Sequence, residues 1–348
     1  MKFKAAILTE LKKELTIAEI SLPGKLEVGQ VLVKIAYSGI CGSQLGEIDG
    51  KKGEDKFLPH LLGHEASGEV IEVGAGVRTT QKGDKVVLHW KRGEGIDSEC
   101  PKYDWNGKVV NAGWIATFNE YAVISENRIT KLSDNFDMRI APLFGCAVTT
   151  GLGVINNNAM VKIGESVVVY GAGGVGLNII QGASLSGAYP IIAVDLHDNR
   201  LELAKELGAT HTINATSTDA ETAIKKILEN NGADIVIDNT GIPKIIELCY
   251  ELTQPKGKII LVGVPKKGDD ISIHSLPLHF GKQLTGSFGG ETDPTIDIPR
   301  YAKLYQAGLL KLDELITAEY ALEDINDAIA DMRSGKLAGR CVIKMNHN

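Results

Sequence analysis

At 348 residues, 43% of them hydrophobic and 23% charged, the chain is long enough for two domains with separate cores and has ordinary globular composition. A formal net charge of −7 argues against general nucleic-acid binding, which calls for a basic surface. No run of about 18 apolar residues predicts a transmembrane helix, and Met1–Ile7 lacks the long apolar stretch and cleavage site of a signal peptide, so no membrane partner and a cytoplasmic location are expected.

In chain order, Met1–Ile7 reads as an opening strand. Val31–Tyr37, Ala66–Gly74 and Asp84–Leu88 follow as short runs rich in β-branched residues, punctuated by Gly and Asp. These predict an irregular, mostly antiparallel β domain. The rhythm changes near residue 150. Strands are predicted at Ser166–Tyr170, Pro190–Asp195, Ala209–Ile213, Ala233–Asp238, Lys258–Gly263 and Gln283–Phe288, with helices at Val175–Ser186 and Asn199–Leu207. Strands alternating with helices imply a parallel sheet covered on both faces. Helical segments and a last strand, Cys341–Lys344, are expected to pack back on the first domain. The five cysteines, 41, 100, 146, 249 and 341, are too few and odd in number for a disulfide framework.

Gly171-Ala172-Gly173-Gly174-Val175-Gly176 fits the pattern G-x-G-x-x-G, follows an apolar strand and opens a helix. In that context the glycines serve the tight turn, the approach of a pyrophosphate and close helix–strand packing, while the helix N-terminus faces the phosphates. Asp195 ends the second strand, where a carboxylate accepts from both ribose hydroxyls and repels the extra phosphate of NADP, so NAD is the expected cofactor. Arg200 works against this choice, since a guanidinium can meet a phosphate.

Cys41, His64 and Cys146 offer two thiolates and an imidazole, a set that suits zinc with one position left open for chemistry. They stand far apart in sequence, so no short metal motif specifies them. Read together, Gly63-His64-Glu65, Gly83-Asp84-Lys85-Val86, Gly145–Gly151 (GCAVTTG), the glycine loop, Leu261–Pro265 and Gly286–Gly290 resemble, in content and order, the zinc-dependent alcohol dehydrogenases of the medium-chain dehydrogenase/reductase superfamily.

That resemblance implies an α/β fold: a doubly wound Rossmann domain over 148–287 that binds NAD, and a GroES-like, mostly β catalytic domain formed by 1–147 and 288–348. It implies one catalytic zinc on Cys41, His64 and Cys146, with Glu65 as a nearby carboxylate that can transiently join the ligands. Ser43 becomes the hydroxyl that bonds the substrate oxygen and starts a proton relay, and Trp90 lines the pocket. Thr150, Val175, Val262 and Val264 fall where the family meets nicotinamide or its ribose, Thr240, Ser287 and Phe288 join the cofactor-binding set, and Arg340 falls where the family reaches the pyrophosphate. The implied reaction moves a hydride between a primary or secondary alcohol and NAD, in a homodimer or homotetramer.

The chain departs from the family pattern in three places. The lobe at 89–113 holds only Cys100, so the four thiolates of a structural zinc cannot be assembled. Gly46 stands where many relatives place a relay histidine, and Gln44 where they place an aspartate that orients the ligand histidine. In the lobe, His89, Lys91, Arg92, Lys102, Tyr103 and Trp105 form a basic, aromatic set that suits a sugar, polyol or sugar phosphate, or else fills the volume of the lost metal lobe. Two rival readings are a zinc-free reductase of enones or quinones on the same scaffold, and a non-catalytic dinucleotide-binding protein.

Overall fold

The structure is a computed structural model and describes residues 1–347. Contacts divide the chain into two units, Met1–Cys146 with Asp293–Asn348, and Ala147–Thr292.

In the first unit, β1 (Lys2–Leu8), β2 (Thr16–Ser21), β7 (Lys102–Trp105), β8 (Lys108–Asn111) and β4 (His60–Leu61) close a small barrel. A second sheet runs β10 (Ile129–Lys131), β6 (Lys85–His89), β5 (Glu65–Val73), β3 (Gln30–Gly39), β18 (Arg340–Lys344) and β17 (Ile316–Ala321), with β9 (Tyr121–Ser125) also on β3. Strand β18 lies antiparallel to β3, pairing Val342 with Gly39, so a strand late in the chain joins the sheet formed by β3, β5 and β6. Val31, Val33, Ile35, Val70, Val86 and Leu88 fill the core beneath it. Helix α1 (Gly42–Ile48) leaves directly from the end of β3.

The lobe at 89–113 is built by packing. Asn106 and Gly107, both at positive φ, make the two-residue turn of the β7–β8 hairpin. Tyr103 is buried, meets Phe3 edge-on, and its hydroxyl accepts the Val123 N–H. The Glu126 carboxylate accepts from the backbone N–H groups of Arg78, Thr79 and Ile96 and from the Thr79 hydroxyl, gathering two loops around one charge.

In the second unit, β11 (Val167–Tyr170), β12 (Ile191–Asp195), β13 (His211–Asn214), β14 (Ala233–Asp238), β15 (Thr253–Leu261) and β16 (Gln283–Gly286) form a parallel sheet in the order β13-β12-β11-β14-β15-β16. This is the doubly wound order whose direction reverses between the first and fourth strands. Val167, Val168 and Val169 are all buried, as a strand covered on both faces requires. Helices α2 (Ala147–Gly153), α3 (Gly174–Leu185), α4 (Asp198–Glu206), α5 (Ala220–Ile227) and α6 (Pro243–Leu252) belong to this unit, while α7 (Pro294–Gln306) and α8 (Ile325–Arg333) return to the first.

Several strand bounds differ from expectation; the strand expected at Lys258–Gly263 runs over Thr253–Leu261. The strand expected from Ala209 starts at His211, because Thr210 Oγ1 turns to cap Ile191 N–H and C=O at the sheet edge. The strand expected through Phe288 stops at Gly286, where the Ser287 hydroxyl donates instead to Asn158 Oδ1.

Candidate active site

Three elements bring the metal donors together. Cys41 sits at the start of α1, where β3 ends. His64 precedes β5. Cys146 follows the 3-10 turn Ala141–Gly145. This turn can approach β5 only because residue 145 is glycine: a Cβ there would lie 2.4 Å from Leu88 O and 2.8 Å from Glu65 Cβ. The ligand atoms of Cys41, His64 and Cys146 all lie within 4.8 Å of one another. His64 Nε2 is buried and makes no hydrogen bond. The Cys41 thiol is held well below its ordinary pKa, first by a hydrogen bond with Cys146 and then by the Arg340 guanidinium, against burial, which raises it. A thiolate beside a bare imidazole nitrogen is a donor set that fits zinc.

The surrounding shell holds these donors. Gln44 Oε1 accepts the Cys41 N–H at 2.9 Å, and the Gln44 amide nitrogen lies 2.5 Å from His64 Nδ1. Ser43 is exposed, with Oγ 3.5 Å from the same Nδ1. Glu65, fully buried, forms an ion pair with Arg340, itself 4% exposed. A buried carboxylate and guanidinium so placed compensate each other's charge, where either charge alone would be costly to bury. Sequence reasoning gave Arg340 to the pyrophosphate and Glu65 to the metal; their mutual pairing had no signal in the spacing.

The pocket candidates of the lobe divide. Trp90 is half-buried, and its carbonyl accepts from Arg128. His89 is buried between Thr130 Oγ1 and the Lys91 carbonyl, and burial pushes its pKa down to about 4. His89 and Tyr103 are thus committed to packing, while Arg92 and Lys102 are exposed and Lys91 and Trp105 half-buried.

The nucleotide candidates gather in the second unit. Thr150 lies on α2. Gly171, Gly173, Gly174, Val175 and Gly176 connect β11 to α3; Asp195 ends β12; Thr240 follows β14; Val262 and Val264 follow β15; and Ser287 and Phe288 follow β16. Apart from Thr150, these stand at or just after the carboxyl ends of the parallel strands, where such folds bind ligands. A Cβ at Gly176 would stand 1.9 Å from Gly171 O, so only glycine allows α3 to start against the loop. Asp195 Oδ2 accepts the Ala172 N–H, and Oδ1 accepts from Leu196 and His197, which ties the glycine loop to β12. Arg200 lies 3.7 Å from the same carboxylate. Thr240 donates to Asp238 Oδ1, and Val264 and Phe288 are exposed at 71% and 64%. Asn157 and Asn158, absent from the sequence reading, bind Gly290 O and Ser287 Oγ and so fix the segment after β16.

Comparison with known proteins agrees with this architecture. Residues 27–134 match the alcohol dehydrogenase GroES-like domain and residues 174–307 the zinc-binding dehydrogenase domain. The NDMA-dependent alcohol dehydrogenase of Amycolatopsis methanolica is 32% identical over 97% of both chains. The S-(hydroxymethyl)glutathione dehydrogenase of Paracoccus denitrificans is 32% identical over 97% of this chain and 98% of its own. The crystal structure of benzyl alcohol dehydrogenase from Acinetobacter calcoaceticus superposes with a TM-score of 0.89 at 30% identity, covering 99% of this chain and 100% of that one. The fold defines a medium-chain dehydrogenase/reductase. Within that superfamily the chain belongs to the zinc-dependent alcohol dehydrogenases.

Proposed function

We propose that the chain is an NAD-linked alcohol dehydrogenase with one catalytic zinc, transferring a hydride between a primary or secondary alcohol and the nicotinamide. The carrying observation is the convergence of Cys41, His64 and Cys146 with a bare, buried His64 Nε2. These three side chains would hold the ion, with Glu65 at hand. A zinc ion there supplies the Lewis-acid charge that favours the deprotonated alcohol. Ser43 Oγ receives the alcohol's proton and starts its passage to solvent, without the histidine that Gly46 replaces. NAD supplies the hydride acceptor, and the second unit supplies its binding and alignment.

Asp195 supports NAD over NADP, since its buried carboxylate already meets Arg200 and leaves that guanidinium less free for a phosphate. The names of the relatives support two substrate classes, simple alcohols and the alcohol adduct of a thiol. Within the lobe, the buried His89 and Tyr103 give no support to a sugar phosphate. The packed lobe and its lone Cys100 support the absence of a structural zinc.

The β16 edge strand, flanked by exposed Leu276 and Phe280 at 53% and 68%, supports a homo-oligomer formed across that edge. Five free cysteines suit a reducing compartment such as the cytoplasm. Among the described residues no helix is long and apolar enough to cross a membrane.

The test pairs elemental analysis with turnover. Cys41→Ala is expected to lose zinc and NAD-linked oxidation of a primary alcohol while binding NAD nearly as tightly as before. Wild-type activity in that variant would refute the zinc reading.

A further inference from the structure

One buried cation of the first unit has no carboxylate of its own. Arg128 ends the short 3-10 turn Glu126–Arg128 and is 6% exposed, yet among the described residues it forms no ion pair. Its Nη1 donates to the Trp90 carbonyl, and the guanidinium carbon stands 5.5 Å from the centre of the Trp114 ring. Nε is buried without an acceptor. Nη2 also has no partner but is not closed off from solvent.

The acidic groups around Arg128 do not answer its charge. Asp97 is the carboxylate whose field reaches it, and both oxygens of Asp97 are engaged elsewhere: Oδ2 with Arg92 Nη2 at 2.5 Å, and Oδ1 with Asn127 Nδ2 at 3.2 Å. Cys100 has its pKa raised by burial and then by Glu99 and Asp97, so it stays a neutral thiol. Arg92 adds a second positive charge. Burial accordingly holds the Arg128 pKa below its ordinary value, and Asp97 offsets only part of that. Holding the Trp90 carbonyl takes one of the five N–H donors of a guanidinium. A neutral amide could do the same without burying a charge.

Its position relates Arg128 to the metal donors. Trp90 directly follows β6, whose last residue, His89, pairs across the sheet with Glu65, the residue after His64. The carbonyl that Arg128 holds therefore lies beside the strand position of a metal donor. Trp114 is 45% exposed, so an indole surface stays open next to the cation.

We propose that Arg128 forms an anion subsite for a carboxylate carried by the alcohol substrate, with Trp114 packing on the body of that substrate. A single guanidinium with an open nitrogen matches one planar, singly charged group. The subsite rests on the alcohol dehydrogenase reading and names its substrate class: an alcohol that also bears a carboxylate.

The test compares 4-(hydroxymethyl)benzoate with benzyl alcohol as substrates of the zinc-loaded, full-length chain. The wild type is expected to favour the carboxylate in kcat/KM at least about tenfold, as a charge-assisted hydrogen bond warrants. Arg128→Gln is expected to erase that preference while leaving kcat/KM for benzyl alcohol within about threefold. Arg128→Lys, which keeps the charge, is expected to retain part of it. Tryptophan fluorescence, titrated with benzoate and with neutral benzamide, reads the same subsite without turnover. Benzoate should bind the wild type more tightly than benzamide, and Arg128→Gln should equalise the two. Oxidation of neither alcohol, with the benzoate preference intact and lost in Arg128→Gln, would refute the dehydrogenase reading and leave the subsite standing. No carboxylate preference in the wild type, equal loss of both alcohols in Arg128→Gln, or a benzoate preference that this variant leaves unchanged overturns the proposal.

Discussion

Gln44 sets up a donor conflict that a single substitution resolves. In the structure its one oxygen accepts the Cys41 N–H, so its amide hydrogens face His64 Nδ1. A neutral imidazole that gives Nε2 to a metal carries its proton on Nδ1. The metal-holding tautomer thus brings N–H against N–H₂. Turning the amide over moves the clash to Cys41, because two donors face one acceptor either way.

Gln44→Glu offers two carboxylate oxygens in the same volume, one for Cys41 N–H and one for His64 Nδ1–H. Relief of one buried, unsatisfied donor is worth about 1–3 kcal/mol, or roughly 5- to 140-fold in zinc affinity at about 1.4 kcal/mol per tenfold. Competition against a chromophoric chelator measures the change, and the ¹⁵N shifts of His64 report its tautomer independently. Zinc affinity equal to or below that of the wild type, in a variant with unchanged circular dichroism, would refute the reasoning.

Glu126 is expected to give the protein an acid-sensitive hinge point. Burial raises its pKa, but the Arg78, Ile96 and Thr79 donors outweigh burial and hold it below the ordinary 4.5. The folded value is the lower one, so its stabilisation is complete above the unfolded pKa and fades as pH falls through the folded one. Glu126→Gln should cost about 1–2 kcal/mol at neutral pH, with the gap to wild type closing below pH about 4.5 in denaturant titrations; parallel curves across that range would contradict this account. Gly176→Ala places a methyl 1.9 Å from Gly171 O, and is expected to raise the NAD dissociation constant at least about tenfold by displacing the start of α3, with a strain cost of about 1–3 kcal/mol. Fluorescence titration and a thermal melt check both, and unchanged values in both would show that the loop tolerates what its geometry forbids.

The parallel sheet was legible in the sequence because each strand is a short β-branched run and each βα turn carries its own punctuation. The three metal donors could be picked out only through the family resemblance, since residues 41, 64 and 146 meet by tertiary packing that no local spacing records. Gly145 shows how such packing hides: its requirement is a distance to Leu88 and Glu65, residues remote from it in sequence. For the 89–113 lobe the sequence left two alternatives, a polar-substrate patch or packing in place of the lost metal lobe, and Tyr103, on the β7 strand of the Asn106-Gly107 hairpin, takes the second. The Glu65–Arg340 pair depends on the pairing of distant strands, which sequence pattern does not specify.

The pairing of β18 with β3 has a consequence for the chain's birth on the ribosome. Cys41, His64, Glu65 and Cys146 all emerge before Arg340, and at roughly 5–20 residues per second the wait after Cys146 lasts on the order of ten seconds or more. Through that interval the nascent chain carries Glu65 without the guanidinium that answers it, and β3 without one of its neighbours. The parallel sheet at 167–286 is synthesised whole within the same interval. The order of synthesis therefore lets the dinucleotide unit mature first, and the metal-binding unit closes only when its last strand arrives.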